Sequence, residues 1–164
     1  MQKLAKYTPK FLRERGELEV PWIRVKQIIV MEDLPRPIVV VNGAFDVLHS
    51  GHMRMLYQAR RRAGTLIVAM DSDERCSRKG PGRPIQTWVE RATTMNFMPV
   101  DWLVEIVSDS EFRQLLYGLK VDARVQGCDY KGQPTRYPDI PKWFVRGTGM
   151  RTSKIIERAS KCQS

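Results

Sequence analysis

After residue 37 the chain alternates between short apolar runs and longer stretches in which apolar positions recur at helical spacing. The apolar runs lie at 38–41, 66–70, 103–107, 123–126 and 143–145. None alternates strictly between apolar and polar residues. Such runs suit strands covered on both faces, as in a parallel sheet. The intervening stretches at 51–63, 86–98, 110–119 and 152–161 read as amphipathic helices. Strand–helix alternation at this spacing predicts an α/β fold, a Rossmann-like doubly wound parallel sheet of about five strands. A ligand then belongs beyond the carboxyl ends of the strands, where the strand order reverses.

Residues 1–37 carry a weaker pattern, and we read them as an N-terminal extension to a domain at 38–164. Thr8-Pro9, followed by Lys10 to Arg15 and then Gly16, has the form of a short capped helix. The stretch 20–31 is rich in β-branched residues without a clear period, and Pro35-Arg36-Pro37 is a stiff connector. This extension is expected to pack on the domain or serve a dimer contact, without carrying chemistry.

Composition narrows the partners. The 164 residues contain 28 Lys plus Arg against 18 Asp plus Glu, a net charge of +10 that favours polyanionic ligands. No nucleic-acid-binding signature accompanies the charge, and aromatic residues are not interleaved with the basic clusters. A small polyphosphate is therefore a better expectation than nucleic acid. Arg60-Arg61-Arg62 reads as a solvated last helical turn that complements the dipole. No run reaches the roughly 20 apolar residues of a membrane span, and the N-terminus has no apolar leader segment. Cys76, Cys128 and Cys162 share no metal-ligand spacing and read as free thiols of a cytoplasmic protein.

The candidate chemistry sits just after the first core strand. There the chain reads Asn42-Gly43-Ala44-Phe45-Asp46-Val47-Leu48-His49-Ser50-Gly51-His52, and His49 and His52 are its only two histidines. The run crosses from strand to helix, where unpaired amides and the helix dipole favour an anion. Two imidazoles at that point can donate to phosphate oxygens. The alternatives are a helix-capping histidine beside a surface one, or a metal pair, although no third ligand lies at metal spacing.

Asn-Gly-x-Phe-Asp-x-Leu-His-x-Gly-His after a strand resembles the signature of the HxGH nucleotidyltransferase superfamily, cytidylyltransferase-like proteins that move a nucleoside monophosphate from a triphosphate onto a phosphorylated acceptor. The resemblance runs from about residue 38 to the C-terminus. It implies a nucleotidyltransferase-type fold, catalytic roles for His49 and His52, and nucleotide contacts from Asn42, Gly43, Ala44, Phe45 and Gly51. Lys79-Gly80-Pro81-Gly82-Arg83-Pro84-Ile85 is similar to a loop of the bacterial heptose-1-phosphate adenylyltransferases, which implies phosphate contacts from Lys79 and Arg83. In isolation it would read as a surface loop. Glu90-Arg91 also has a family counterpart and would place Arg91 on the triphosphate; an exposed ion pair is the plain alternative.

Val125-Gln126-Gly127-Cys128-Asp129-Tyr130 resembles the Lys-Gly-Gly-Asp-Tyr run of the heptose enzymes, with Gln126 and Cys128 as departures. It implies nucleotide contacts from Gly127 and Asp129, and acceptor contacts from Asp129 and Tyr130. Arg146, Thr152 and Ser153 resemble the Arg-Thr-Glu-Gly-Ile-Ser-Thr-Thr segment of the glycerol-3-phosphate cytidylyltransferases, and Thr152 and Ser153 would hold the β- and γ-phosphates; Arg151 stands where that segment has its first Ser and would add a cation facing the pyrophosphate. Thr152 and Ser153 equally suit helix capping. Asp46 is assigned to the acceptor or to ordering the motif or the metal, with a local turn contact as the alternative.

The resemblance thus implies an enzyme, a nucleotidyltransferase with Mg²⁺ carried by its nucleotide, a small phosphorylated acceptor, and a homodimer as one possible assembly. Ala44, where glycerol-3-phosphate cytidylyltransferases carry Thr, and the 79–85 loop favour AMP transfer from ATP to a sugar phosphate. Cytidylyl transfer from CTP to a polyol phosphate is the runner-up. A noncatalytic nucleotide- or RNA-binding protein on the same fold is the alternative of another class.

Overall fold

The computed structural model describes residues 22–24, 28–30 and 33–162. The helix expected near residues 8–15 lies outside them. Six strands form one parallel sheet in the order β1-β4-β3-β2-β5-β6: β1 Trp22–Arg24, β2 Ile38–Gly43, β3 Thr65–Asp71, β4 Trp102–Ile106, β5 Ala123–Gly127 and β6 Lys142–Val145. Helices α1 Ser50–Arg60, α2 Asp73–Ser77, α3 Trp88–Met95, α4 Asp109–Gly118 and α5 Thr152–Lys161 join or follow them. The sixth strand is β1, drawn from the stretch read as an extension. It lies at the sheet edge with Trp22 in register with Leu103.

The unbroken apolar runs are explained by burial on both faces. In β2, Ile38 and Val40 enter one core with Ile67, Val104, Phe112, Leu115 and Leu116. Val39 and Val41 enter the other with Leu66, Val68, Leu56, Trp88 and Met95. Successive strand side chains point to opposite faces, so a strand packed on both sides needs an apolar residue at every position. Each such side chain contributes roughly 1.5–3 kcal/mol by leaving water.

Local chemistry trims the helices. Thr87 caps α3, and Glu90 completes a capping box with it, so the helix starts at Trp88 and not at residue 86. Glu90 therefore serves the cap. Ser72 caps the short α2, which the apolar pattern did not reveal because only Cys76 of it is buried. Arg60 is only partly solvated: it pairs with Asp101 and donates to the carbonyls of Ala63 and Gly64, closing α1.

β2 pairs with β3 on one side and β5 on the other. The strand order reverses there, so the carboxyl end of β2 lies at the switch point. Among the described residues no helix is long and apolar enough to cross a membrane.

Candidate active site

β2 ends at Gly43, and the next six residues form a loop held from several directions. Phe45 and Val47 both adopt left-handed backbone, with φ of 51° and 53°. For β-branched Val47 this is a true outlier, and each such residue costs of order 1–3 kcal/mol. Long-range bonds hold the loop in place. Arg91 Nη1 donates to the Ala44 carbonyl, Val47 N donates to Gln86 Oε1 at 2.9 Å, and Thr152 Oγ1 donates to the Asp46 carbonyl at 2.8 Å.

The Asp46 side chain is fully buried and engages the basic loop. It accepts from the amides of Ile85 and Gln86 at 3.0–3.1 Å and forms an ion pair at 3.0 Å with Arg83 Nε. This corrects two expectations. Asp46 makes neither a local turn contact nor, with its oxygens occupied, a site for the acceptor. It joins the histidine motif to the 83–86 segment.

The loop delivers both histidines to the first turn of α1. His49 is the N-cap, its Nδ1 accepting from Gly51 N at 3.1 Å. In the neutral ring the hydrogen therefore sits on Nε2, available to an anion. The His49 and His52 rings stack at 3.8 Å with 19° between planes, and Phe45 tilts onto His52 at 5.1 Å. Burial lowers the His52 pKa to about 4, assisted by His49 and Lys79 and opposed by Asp46. Burial lowers that of His49 too. Gly51 is required here, since a Cβ would lie 2.9 Å from His49 Cε1 and 3.2 Å from the Met150 carbonyl. The first turn of α1 carries no acidic residue.

These groups open on a cavity of about 450 Å³ whose lining includes Asn42, Gly43, Ala44, Phe45, Gly51, Gly127 and Tyr130 beside the two histidines. Lys79 and Arg83 line it from the basic loop, and Arg151 and Thr152 from the start of α5. Lys79 Nζ, half exposed, is held at 2.8 Å by Asp71, which also pairs with Arg75 at 3.2 Å. Asp71 and Met150, both in the lining, were not singled out from sequence. Asp71 had a usable signal: it is a carboxylate at the carboxyl end of a core strand. Met150 had none.

Three expected residues stand apart from the cavity. Arg91 is fully buried and directs its donors to the carbonyls of Ala44, Asp71 and Gln86 and to Asp73. With no exposed surface it braces the loops and cannot reach a triphosphate. Arg146 is exposed and outside the lining, although its neighbours Val145 and Gly147 belong to it. Ser153 is exposed and also outside it. Thr152 and Ser153 do not cap α5: Arg151 holds the N-cap position without a side-chain cap bond, and the Thr152 hydroxyl is committed to Asp46. Asp129 falls in the backbone turn Cys128–Tyr130, and its side chain lies outside the described residues.

Fold and site together define a doubly wound α/β domain with a cleft at its switch point, lined by paired imidazoles, a lysine and arginines. The chain belongs to the cytidylyltransferase-like family, whose profile matches residues 40–158. It is 37% identical over 152 residues to the bifunctional protein HldE of Ectopseudomonas mendocina, covering 90% of this chain and 31% of that protein. The HldE protein of Nitratiruptor sp. is 33% identical over 165 residues, covering 94% of this chain and 33% of the relative. The chain thus spans about a third of the length of these relatives.

Two solved structures share the fold. A lipopolysaccharide core biosynthesis protein from Thermoplasma volcanium aligns with a TM-score of 0.54 at 20% identity, over 70% of this chain and 98% of that one. A pantoate-beta-alanine ligase from Francisella tularensis, complexed with beta-gamma ATP and beta-alanine, aligns at 0.56 and 14% identity, over 85% and 76%.

Proposed function

We propose that the chain is a nucleotidyltransferase that moves AMP from ATP onto a small phosphorylated acceptor such as a sugar phosphate. The observation that carries this reading is the stacked His49–His52 pair at the start of α1, sharing one cavity with Lys79, Arg83 and Arg151. That cavity is large enough for a nucleotide, and its cations come from two segments, the basic loop and the start of α5. The likeness to the HldE proteins and the heptose-type 79–85 loop support adenylyl transfer to a sugar phosphate over cytidylyl transfer to a polyol phosphate.

An acceptor phosphate oxygen attacks the α-phosphorus in line, the bond to the β-phosphate's bridging oxygen breaks, and pyrophosphate leaves. No protein nucleophile is needed, so catalysis is positioning and charge stabilisation. His49 and His52 donate to the phosphates at the α1 N-terminus. Neutral in the free protein, they gain basicity as phosphate charge arrives beside them. Lys79, Arg83 and Arg151 neutralise charge on the triphosphate, and glycines flanking Pro81 let the loop approach it.

A magnesium ion fits as cargo of the nucleotide and not as a resident of the protein. Among the described residues the carboxylates lining the cavity are Asp46 and Asp71. The first is enclosed, and the second is engaged by Lys79 and Arg75. Asp71 is the carboxylate that would help hold such an ion, and the ion when bound would supply charge neutralisation. We assign this chemistry to residues 38–164 of a cytoplasmic protein, for which a homodimer is one assembly to test.

The test is incubation of the purified protein with Mg²⁺, each of the four ribonucleoside triphosphates and a panel of sugar and polyol phosphates, following pyrophosphate. Release that requires both ATP and a sugar phosphate is expected. Release with CTP and a polyol phosphate would transfer the assignment to cytidylyl chemistry. ATP binding without release across the panel would favour a noncatalytic binding protein.

A further inference from the structure

Beside the main cavity lies a second cleft of about 220 Å³, lined in part by Arg75, Arg124, Arg136 and Lys142. Arg124 stands on β5, two residues before Gln126, and is only 5% exposed. Its guanidinium carbon lies 5.0 Å from the Tyr137 ring and 5.4 Å from the Phe112 ring. Its Nε and Nη1 are buried with no hydrogen-bond partner. A buried guanidinium has only donors and always carries charge, so leaving it unpaired is costly. Asp109 is the one carboxylate among the described residues of the lining, and it already pairs with Arg75 at 3.0 Å and Arg136 at 2.6 Å.

The two aromatic rings flank the guanidinium, whose planar fork matches a carboxylate or phosphate. The cleft is also joined to the nucleotide cavity, since Asn42, Gln126 and Tyr130 line both. They lie on opposite sides of the sheet. Leu56 of α1 packs with Val125 on one face, while Phe112 and Tyr137, the rings flanking Arg124, belong to the core of the other. A ligand lying across the carboxyl ends of β2 and β5 would therefore reach the histidines at one end and Arg124 at the other.

We propose that this cleft seats a second anionic group of the acceptor, so that the preferred acceptor carries a phosphate or carboxylate besides the phosphate that attacks. The inference rests on the nucleotidyltransferase reading above and specifies its acceptor subsite. Arg124 supplies the fixed fork, and Arg136 and Lys142 supply charge at the mouth.

Calorimetric titration of the protein saturated with α,β-methylene ATP, whose α–β bridge cannot be cleaved, tests it with three probes: glucose 1-phosphate, glucose 1,6-bisphosphate and glucuronate 1-phosphate. The three differ only at C6, and the same set is repeated in the manno series. In at least one series a C6 anion is expected to bind about tenfold or more tighter than the parent, the gain of one charge-assisted bidentate contact. Whichever C6 group gains identifies phosphate or carboxylate. In Arg124→Met the ratio falls to about twofold or less, and Arg124→Lys restores part of it. Arg136→Ala, at an exposed position that folding does not need, lowers the ratio by a smaller factor should Arg124→Met fail to fold. Equal affinity for parent and C6 anion in both series, with the analogue bound, overturns this proposal alone. An unchanged ratio in the folded Arg124→Met variant does the same. Failure of ATP to bind at all overturns the transferase reading and this inference with it.

Discussion

His52 makes the protein acid-sensitive in a way that can be calculated. Its pKa falls from 6.5 to about 4, chiefly because burial disfavours the imidazolium. In the unfolded chain the same ring titrates near 6.5. Between these values the unfolded state binds the extra proton and the folded state resists it. Stability contributed by the neutral ring is therefore complete above about pH 6.5 and is lost progressively as pH falls toward 4. Lowering pH from about 7.5 to 5 should cost about 2 kcal/mol through this one ring, and the full shift is worth about 3 kcal/mol. Urea unfolding at both pH values measures it, with His52→Gln as the control that keeps a polar side chain of similar reach. The variant is expected to lose most of the acid-dependent destabilisation, keeping a remainder from His49, whose pKa burial lowers in the same direction. If His52→Gln loses as much stability at low pH as the parent protein, the desolvated neutral imidazole is refuted.

Other perturbations separate positioning from contact. Gly51→Ala puts a methyl 2.9 Å from His49 Cε1 and 3.0 Å from Nδ1; turnover should fall roughly 10²-fold as the ring is displaced, and pyrophosphate release at the parental rate would contradict that. Its melting temperature should move little, because helix propensity gained offsets crowding. Asp46→Asn turns an amide toward the Ile85 and Gln86 amides and leaves Arg83 without its anion, costing about 2–4 kcal/mol by urea denaturation. A change near zero would mean that this carboxylate does not hold the loop. Lys79→Ala should weaken ATP use strongly while leaving thermal stability nearly intact. Arg91→Met should do the reverse first, lowering stability by about 3 kcal/mol as three carbonyls lose their donor. Matched activity and melting measurements on the two variants check the contrast.

Much of this was legible in the chain, for reasons that differ by element. The five core runs could be read as strands because burial on both faces demands an apolar residue at each position, and 38–41 shows this without exception. His49 and His52 could be read because a strand-to-helix turn is local: eleven consecutive residues carry the geometry and the chemistry together. Lys79 and Arg83 were readable from their loop for the same reason. Helix ends were less so, since the Thr87 and Glu90 pairing that starts α3 competes with an apolar pattern extending to either side. The edge strand β1 was obscured because its stretch, 20–31, is rich in β-branched residues without a clear period.

What tertiary structure decided was the use of charge. From sequence, Arg91 and Asp46 are an arginine and a carboxylate near a motif, equally suited to ligand or scaffold. Only packing shows that Arg91 is sealed beneath three carbonyls, and that Asp46 reaches 39 residues ahead to Ile85. Arg124 was not singled out at all, being one basic residue inside a strand. Its meaning comes from two rings and an absent partner contributed by distant segments. Periodicity records which face a residue buries, because burial acts on every member of an element. A hydrogen bond or ion pair joins two particular atoms across the fold, and that choice is made only when the elements meet.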